Sequence, residues 1–344
     1  MAKVLTFFNH KGGVGKTTLA YNVAWGLSCA GQRVLMIDAD AQCNLTEIAV
    51  GDKRRLDPED GQLSLFPDTY NPEFFVKNNI YTFLSQYVHP SINRDIPQVK
   101  MFEKRERLSL LPGALKLAEL EETLALSLAG IRALRDVPDA VYSALKMLGE
   151  SQDWIIIDLS PALSATNQLF LMLSDYFIVP VSPSVFSKQA LDNLGEIFRG
   201  WNRNLSSFEF YKQLPKMLGI VCLNYRPYSR KDEDGTKSAK RFEESMKELN
   251  ERAVKLAEDL NGFRMALSAT EFYKLFPNEI PFRIASIPDY NQLSVISDKE
   301  NIPVHGIKEF HLKKHEMNTP YYRDKIEDFQ GACANIVNGL LQLP

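Results

Sequence analysis

The chain has few cysteines, and none is placed for structural work. Cys29, Cys43, Cys222 and Cys333 are far apart and form no CxxC pair, which argues against a zinc ribbon or a disulfide framework. An excess of basic charge is also missing: over 344 residues the formal net charge is -3, so the surface as a whole is not a polyanion-binding field. There is no long apolar run. The most tempting one, Leu169 to Val181, is interrupted by Ser174, Asp175 and Pro180, and no membrane span is expected. Met1 to Asn9 has neither the basic start nor the small-residue cleavage site of a signal peptide, so the expected location is the cytoplasm. No internal repeat or low-complexity tract is visible. With 45% hydrophobic and 24% charged residues, the chain can bury a sizeable core.

Short runs of Val, Ile, Leu and Phe recur at Lys3–Phe8, Arg33–Asp38, Leu108–Leu111, Trp154–Asp158, Tyr176–Val181, Leu218–Leu223 and Phe282–Ile287. Their hydrophobicity is continuous rather than alternating, as in strands covered on both faces. Helical segments fall between them, and the first, Thr17 to Ala30, is closed by Gly31, whose missing Cβ suits a left-handed cap. The expected fold is therefore α/β, a doubly wound, mostly parallel sheet with helices on both faces. We read residues 1–344 as a single domain carrying two insertions. The first, at about 51–107, is broken by Pro58, Gly61, Pro67, Pro72 and Pro90 around a short helix near Ile80–Leu84. The second, at about 226–281, holds a charged stretch and then an amphipathic helix over Ser238–Leu260, with Phe242, Met246, Leu249, Ala253, Leu256 and Leu260 on one stripe. A helical tail follows at about 305–344.

The stretch from Asn9 to Thr18 carries the chemistry: NHKGGVGKTT, directly after a strand and opening a helix. Gly12, Gly13 and Gly15 let the backbone curl so that successive N–H groups, Val14 included, point into one concavity, and the helix adds its positive end there. This makes a cradle for phosphates. Lys16 would reach the β and γ phosphates as a point charge, the Thr17 hydroxyl would ligate Mg2+, and Thr18 would bond an α-phosphate oxygen.

A general P-loop needs glycine where His10 stands, whereas KGGxGKT, the deviant Walker A form, fits without mismatch. With this loop the chain resembles the ParA/MinD superfamily of P-loop NTPases, in which Lys11 matches the lysine that crosses a dimer interface to the partner's phosphates. Two further stretches follow in the family's order. Asp38-Ala39-Asp40-Ala41-Gln42-Cys43-Asn44-Leu45-Thr46 is similar to DxDPQxNxT with Ala41 in place of proline. The resemblance makes Asp40 the residue that orients the attacking water and gives Asp38 a place near the metal or Lys11, with a swap between the two left open. Trp154 to Pro161 resembles the Walker B strand, with Asp158 at the metal.

Asn224 stands where the family places an adenine-facing asparagine, and Ile287–Ser294 resembles the segment whose backbone, here Pro288 and Asp289, borders the base. The absence of NKxD there favours ATP over GTP. Ile80–Leu84 and Leu110–Gly113 echo the family's middle. The expected activity is slow ATP hydrolysis with Mg2+, catalysed by Lys11, Lys16 and Asp40 in an ATP-dependent homodimer.

In the nearest-looking relatives such a dimer binds DNA nonspecifically and a protein partner stimulates hydrolysis, which implies DNA segregation or cargo positioning. With the loop so near Met1, no N-terminal helix-turn-helix is expected. Candidate DNA contacts are Arg226, Arg230, Lys231, Lys237, Lys240, Arg241, Lys308, Lys313 and Lys314, diluted by Asp232, Glu233 and Asp234. The final segment lacks basic residues after Lys325, so its apolar stripe of Phe329, Cys333, Ile336, Val337 and Leu340 reads as a core-packing helix rather than a membrane anchor. The alternative is a partner-controlled ATPase sensor in an operon-encoded system such as phage defence. An iron-sulfur reductase is excluded by the lack of cysteine between Cys43 and Cys222. A P-loop tyrosine kinase finds only Tyr321-Tyr322 in its support.

Overall fold

The computed structural model describes residues 2–50, 54–56, 63–65, 72–88, 100–101, 105–205, 208, 214–225, 235–290, 292–317 and 319–344. The strands are β1 (Lys3–Phe7), β2 (Val34–Ala39), β3 (Arg54–Leu56), β4 (Leu63–Leu65), β5 (Lys100–Met101), β6 (Leu108–Leu111), β7 (Trp154–Leu159), β8 (Tyr176–Val181), β9 (Lys216–Tyr225) and β10 (Arg283–Pro288). The central sheet runs β10-β9-β8-β1-β7-β2-β6-β5, and β3 pairs with β4 apart from it. Every pairing in the sheet is parallel except β5 with β6, where two residues close the edge in the antiparallel sense. The seven apolar runs of the sequence are the seven parallel strands, within two residues at each end.

All six residues of both β2 and β7 are buried. Successive side chains of a strand point to opposite faces, so such strands need cover on both sides, and helices provide it. The helix Lys16–Cys29 is buried along nearly its whole length and packs against the sheet and the C-terminal helix Thr319–Leu341. Gly26 makes that approach possible: a Cβ there would stand 2.9 Å from Val337 Cγ2. Gly31 has φ +85°, the left-handed conformation expected after this helix. The helices Ile80–Val88, Glu121–Leu128, Val137–Leu148 and Ala165–Met172 pack on one another.

In the first inserted stretch, Pro72–Lys77 forms a helix besides Ile80–Val88, and the β3–β4 pair adds strands that the sequence reading does not contain. The long helix of the second runs Gly235–Asn261, with Met246, Leu249, Ala253, Leu256 and Leu260 all buried against β9 and the helix Val185–Leu205. The Phe242 side chain lies outside the described ones. Phe329, Cys333, Ile336, Val337 and Leu340 are likewise buried, so the terminal helix packs into the core. Among the described residues no helix is long and apolar enough to cross a membrane.

Candidate nucleotide site

From β1 the chain goes to β2 and β6 on one side, returns to place β7 between β1 and β2, and then continues through β8, β9 and β10 on the other side; the loop that follows β1 sits at the carboxyl ends of the parallel strands, where open α/β sheets place ligands. Gly13 and Gly15 have φ of +72° and +79°, values that a side chain would strain. Gly15 caps the helix Lys16–Cys29 without any side-chain hydrogen bond, and the first turn carries no acidic residue. The first N–H groups of a helix have no intrahelical acceptor, so the positive end of this one is left for an external anion. Lys16 is only 6% exposed; its ammonium donates to Asn9 O at 3.0 Å and Lys11 O at 3.2 Å. Burial lowers its pKa, while Asp158 and Asp40 pull it back up. Asn9 braces the loop, donating through Nδ2 to Pro180 O at 2.8 Å and accepting the Lys11 N–H at 3.0 Å.

The two strand-end aspartates are direct neighbours, because Asp38 on β2 is in register with Asp158 on β7. Both are fully buried. Asp38 is used up by its own loop: Oδ2 accepts the Thr46 N–H at 2.8 Å and the Thr46 hydroxyl at 2.7 Å, and Oδ1 accepts the Asp40 N–H at 3.2 Å. Burial raises its pKa to about 6 against those hydrogen bonds. Asp158 is different. Neither of its oxygens accepts a hydrogen bond of regular geometry, and burial, followed by the charge of Asp38, raises its pKa to about 8. The nearby Thr17 hydroxyl and Lys16 only moderate that shift.

A buried carboxylate without partners is costly unless something positive completes it. Mg2+ fits this donor set: hard oxygens from Asp158 and Thr17 beside a phosphate cradle, with the remaining ligands from water and phosphate. Among the described residues no group of three His, Cys, Asp or Glu side chains is arranged to hold a metal.

Asp40 is held within a tight turn, accepting the Gln42 N–H at 2.9 Å and Asn44 Nδ2 at 3.4 Å. Cys43 adopts φ +56° in that turn. Sequence reasoning missed what stands behind it. Gly113 donates its N–H to Thr46 Oγ1 at 2.8 Å, and a Cβ on Gly113 would stand 2.9 Å from both Asp38 Oδ2 and Cys43 Sγ. Gly113→Ala is therefore expected to displace the Asp38–Thr46 loop and to lower stability by about 1–3 kcal/mol, read as a shift of the urea midpoint. The signal in the sequence was the Pro112-Gly113 pair after a strand.

At the base-side segment, Asn224 lies on β9 and Pro288 ends β10, but their side chains lie outside the described ones, as does Asn291. Asp289 O accepts Lys325 Nζ at 2.9 Å, which ties this segment to the terminal helix. Tyr290, also missed, donates from its phenol to Thr18 Oγ1 at 3.4 Å and sets its ring edge-on to Phe329 at 5.3 Å. Of the basic candidates, Lys313 pairs with Glu309 at 3.3 Å and Lys314 with Glu300 at 2.7 Å. Arg226, Arg230 and Lys231 lie outside the described residues, as do the side chains of Lys237, Lys240 and Arg241.

The model of the AAA domain family matches residues 2–207. An uncharacterized protein, MJECL24, of Methanocaldococcus jannaschii is 31% identical over 56% of this chain and 66% of its own length. The sporulation initiation inhibitor protein Soj of Bacillus subtilis is 27% identical over 60% of this chain and 69% of its own. The chain spans slightly under two thirds of the first curated relatives it matches, 66% of the first and 61% of the second. Among solved structures, the Cyanothece McdA(D38A)-ATP complex shares the fold with a TM-score of 0.58 at 19% identity, over 97% of this chain and 96% of that one. The glycine loop at the end of β1, the paired strand-end aspartates and the match over residues 2–207 lead to one assignment: this chain belongs to the AAA domain family, as a ParA/MinD-like P-loop protein.

Proposed function

We propose that this chain is a nucleotide-dependent switch that binds Mg-ATP on the Lys11–Thr18 loop, dimerises around it and hydrolyses it slowly. The observation that carries the reading is Asp158, a fully buried carboxyl group beside the Thr17 hydroxyl and Lys16, in a sheet whose phosphate-type loop has an uncapped helix end. The amides from Gly12 to Thr18 cradle the triphosphate, and Lys16 leaves its two backbone carbonyls for the β and γ oxygens, which are stronger, charged acceptors. Thr17 and Asp158 hold the magnesium, which supplies charge neutralisation on the phosphate oxygens. Asn224 and the Pro288–Asp289 backbone face the adenine.

Asp40 accepts a hydrogen bond from the attacking water and aims it. The water oxygen bonds to the γ-phosphorus as the bond from that phosphorus to the β–γ bridging oxygen breaks, giving ADP and phosphate. A strong base is unnecessary, because phosphoryl transfer depends mainly on positioning and charge. Lys11 of a second copy neutralises charge as an arginine finger does. Asp38, its oxygens occupied by Thr46 and Asp40, holds the loop in shape rather than ligating the metal directly.

Asp40→Ala is expected to keep ATP affinity within about threefold of wild type (under 1 kcal/mol) while abolishing turnover. The ATP dimer then persists on gel filtration with light scattering; an Asp40→Ala chain that stays monomeric with ATP counts against the reading. The cellular role that fits relatives named Soj and ParA is DNA segregation or cargo positioning, with a protein partner timing hydrolysis. The ion pairs of Lys313 and Lys314 leave the tail a weak contributor to any nonspecific DNA contact.

A further inference from the structure

Lys11 does not reach away from its own subunit. Its ammonium donates to Ser184 Oγ at 2.8 Å and stands 5.3 Å from the centroid of the Phe186 ring. Ser184 lies in the turn that joins β8 to the helix Val185–Leu205, and Phe186 in the first turn of that helix, more than 170 positions along the chain. Ser184 is fixed from below by a serine cluster: its Oγ lies 3.2 Å from Ser187 Oγ and 3.3 Å from Ser182 Oγ, and Ser187 is fully buried. Phe186, by contrast, is 69% exposed, and what its ring faces is the ammonium.

This resting place is a poor one for a cation. The acceptor is a neutral hydroxyl, and the positive end of the helix Val185–Leu205 opens at the same turn. A phosphate oxygen is a stronger acceptor for an ammonium than a serine hydroxyl. The contact is therefore strong enough to place Lys11 and weak enough to be given up.

We propose that Ser184 and Phe186 are positioning residues for Lys11, holding its ammonium against its own subunit until the nucleotide phosphates of a second copy draw it across. They thereby set the ATP concentration at which two copies close. The proposal rests on the dimerising reading above.

Two measurements test it. In the nucleotide-free chain, the rate at which acetic anhydride acetylates Lys11 is read by peptide mass spectrometry. Ser184→Ala is expected to raise that rate at least about twofold and Phe186→Leu to do the same, whereas Ser184→Thr and Phe186→Tyr, which keep the hydroxyl and the ring, stay at the wild-type rate. The second measurement is the concentration of a non-hydrolysable ATP analogue, with magnesium, that gives half dimer by light scattering. Ser184→Ala is expected to lower it about three- to tenfold, equivalent to about 0.7–1.4 kcal/mol, and Ser184→Thr to leave it unchanged. An unmoved acetylation rate or an unmoved midpoint in Ser184→Ala overturns the proposal while the dimer reading stands. A wild-type chain that binds the analogue yet never dimerises overturns both.

Discussion

Lys16→Ala is expected to lose at least about 100-fold in ATP affinity, or about 2.7 kcal/mol, in a calorimetric titration. The loss is large because Lys16 is the buried cation of the loop, 6% exposed, with only two backbone carbonyls as acceptors. A triphosphate offers it charged oxygens instead, and a charge-assisted hydrogen bond in a site sheltered from water is about twice as strong as a neutral one. The fold should survive the change. Alanine is a better helix former than lysine at the first helical position, and no structural ion pair is broken. An Lys16→Ala chain that unfolds would point instead to a structural role for the ammonium, and one that binds ATP normally would place the phosphates elsewhere.

Asp158→Asn is expected to stabilise the free chain at high pH and to weaken the stabilisation that Mg-ATP adds. In the wild type the carboxyl is pushed up to about 8, with Asp38 pushed to about 6, while both return to the ordinary carboxylate value of 3.8 on unfolding. The folded chain therefore binds more protons than the unfolded one between about pH 4 and pH 8, and its stability falls as pH rises through that window. Asparagine has nearly the same shape and cannot ionise. Without nucleotide the variant should gain on the wild type steadily from pH 5 to pH 8, by roughly 3–4 kcal/mol over those three pH units. With magnesium and ATP that advantage shrinks. A ligand at 100 times its dissociation constant stabilises the wild type by about 2.7 kcal/mol, and a variant that has lost the metal-facing carboxylate gains less. Thermal melts at pH 5 and pH 8, with and without Mg-ATP, give all four values. A variant less stable than wild type at pH 8 without nucleotide would mean that Asp158 is satisfied by something other than a metal.

The strands were legible because a strand covered on both faces needs no polar positions, and only the parallel centre of an α/β sheet writes such runs. The helix Gly235–Asn261 was legible for the complementary reason, an apolar stripe on a polar cylinder. What escaped was whatever depends on residues distant in sequence. Gly113 and Thr46 lock Asp38 through contacts across two loops, and the local pattern marks each residue without showing that they meet. The two aspartates differ in a way their shared motif does not show: the Asp38 carboxylate accepts from Thr46 and from the Asp40 N–H, and that of Asp40 is bonded within its own turn. Ser184 and Phe186 escaped because a serine and a phenylalanine at a helix start carry no signature until Lys11 is found beside them. The short β3–β4 pair escaped because three-residue strands are too brief to show a period.

The central claim is that the amides from Lys11 to Thr18, Lys16 and the Asp158 carboxylate together form a Mg-ATP site. Isothermal titration of ATP into the purified wild-type chain, with and without magnesium, tests it directly. The account predicts saturable heat that tightens at least tenfold when the metal is present. No heat in either buffer, or heat indifferent to magnesium, would contradict it.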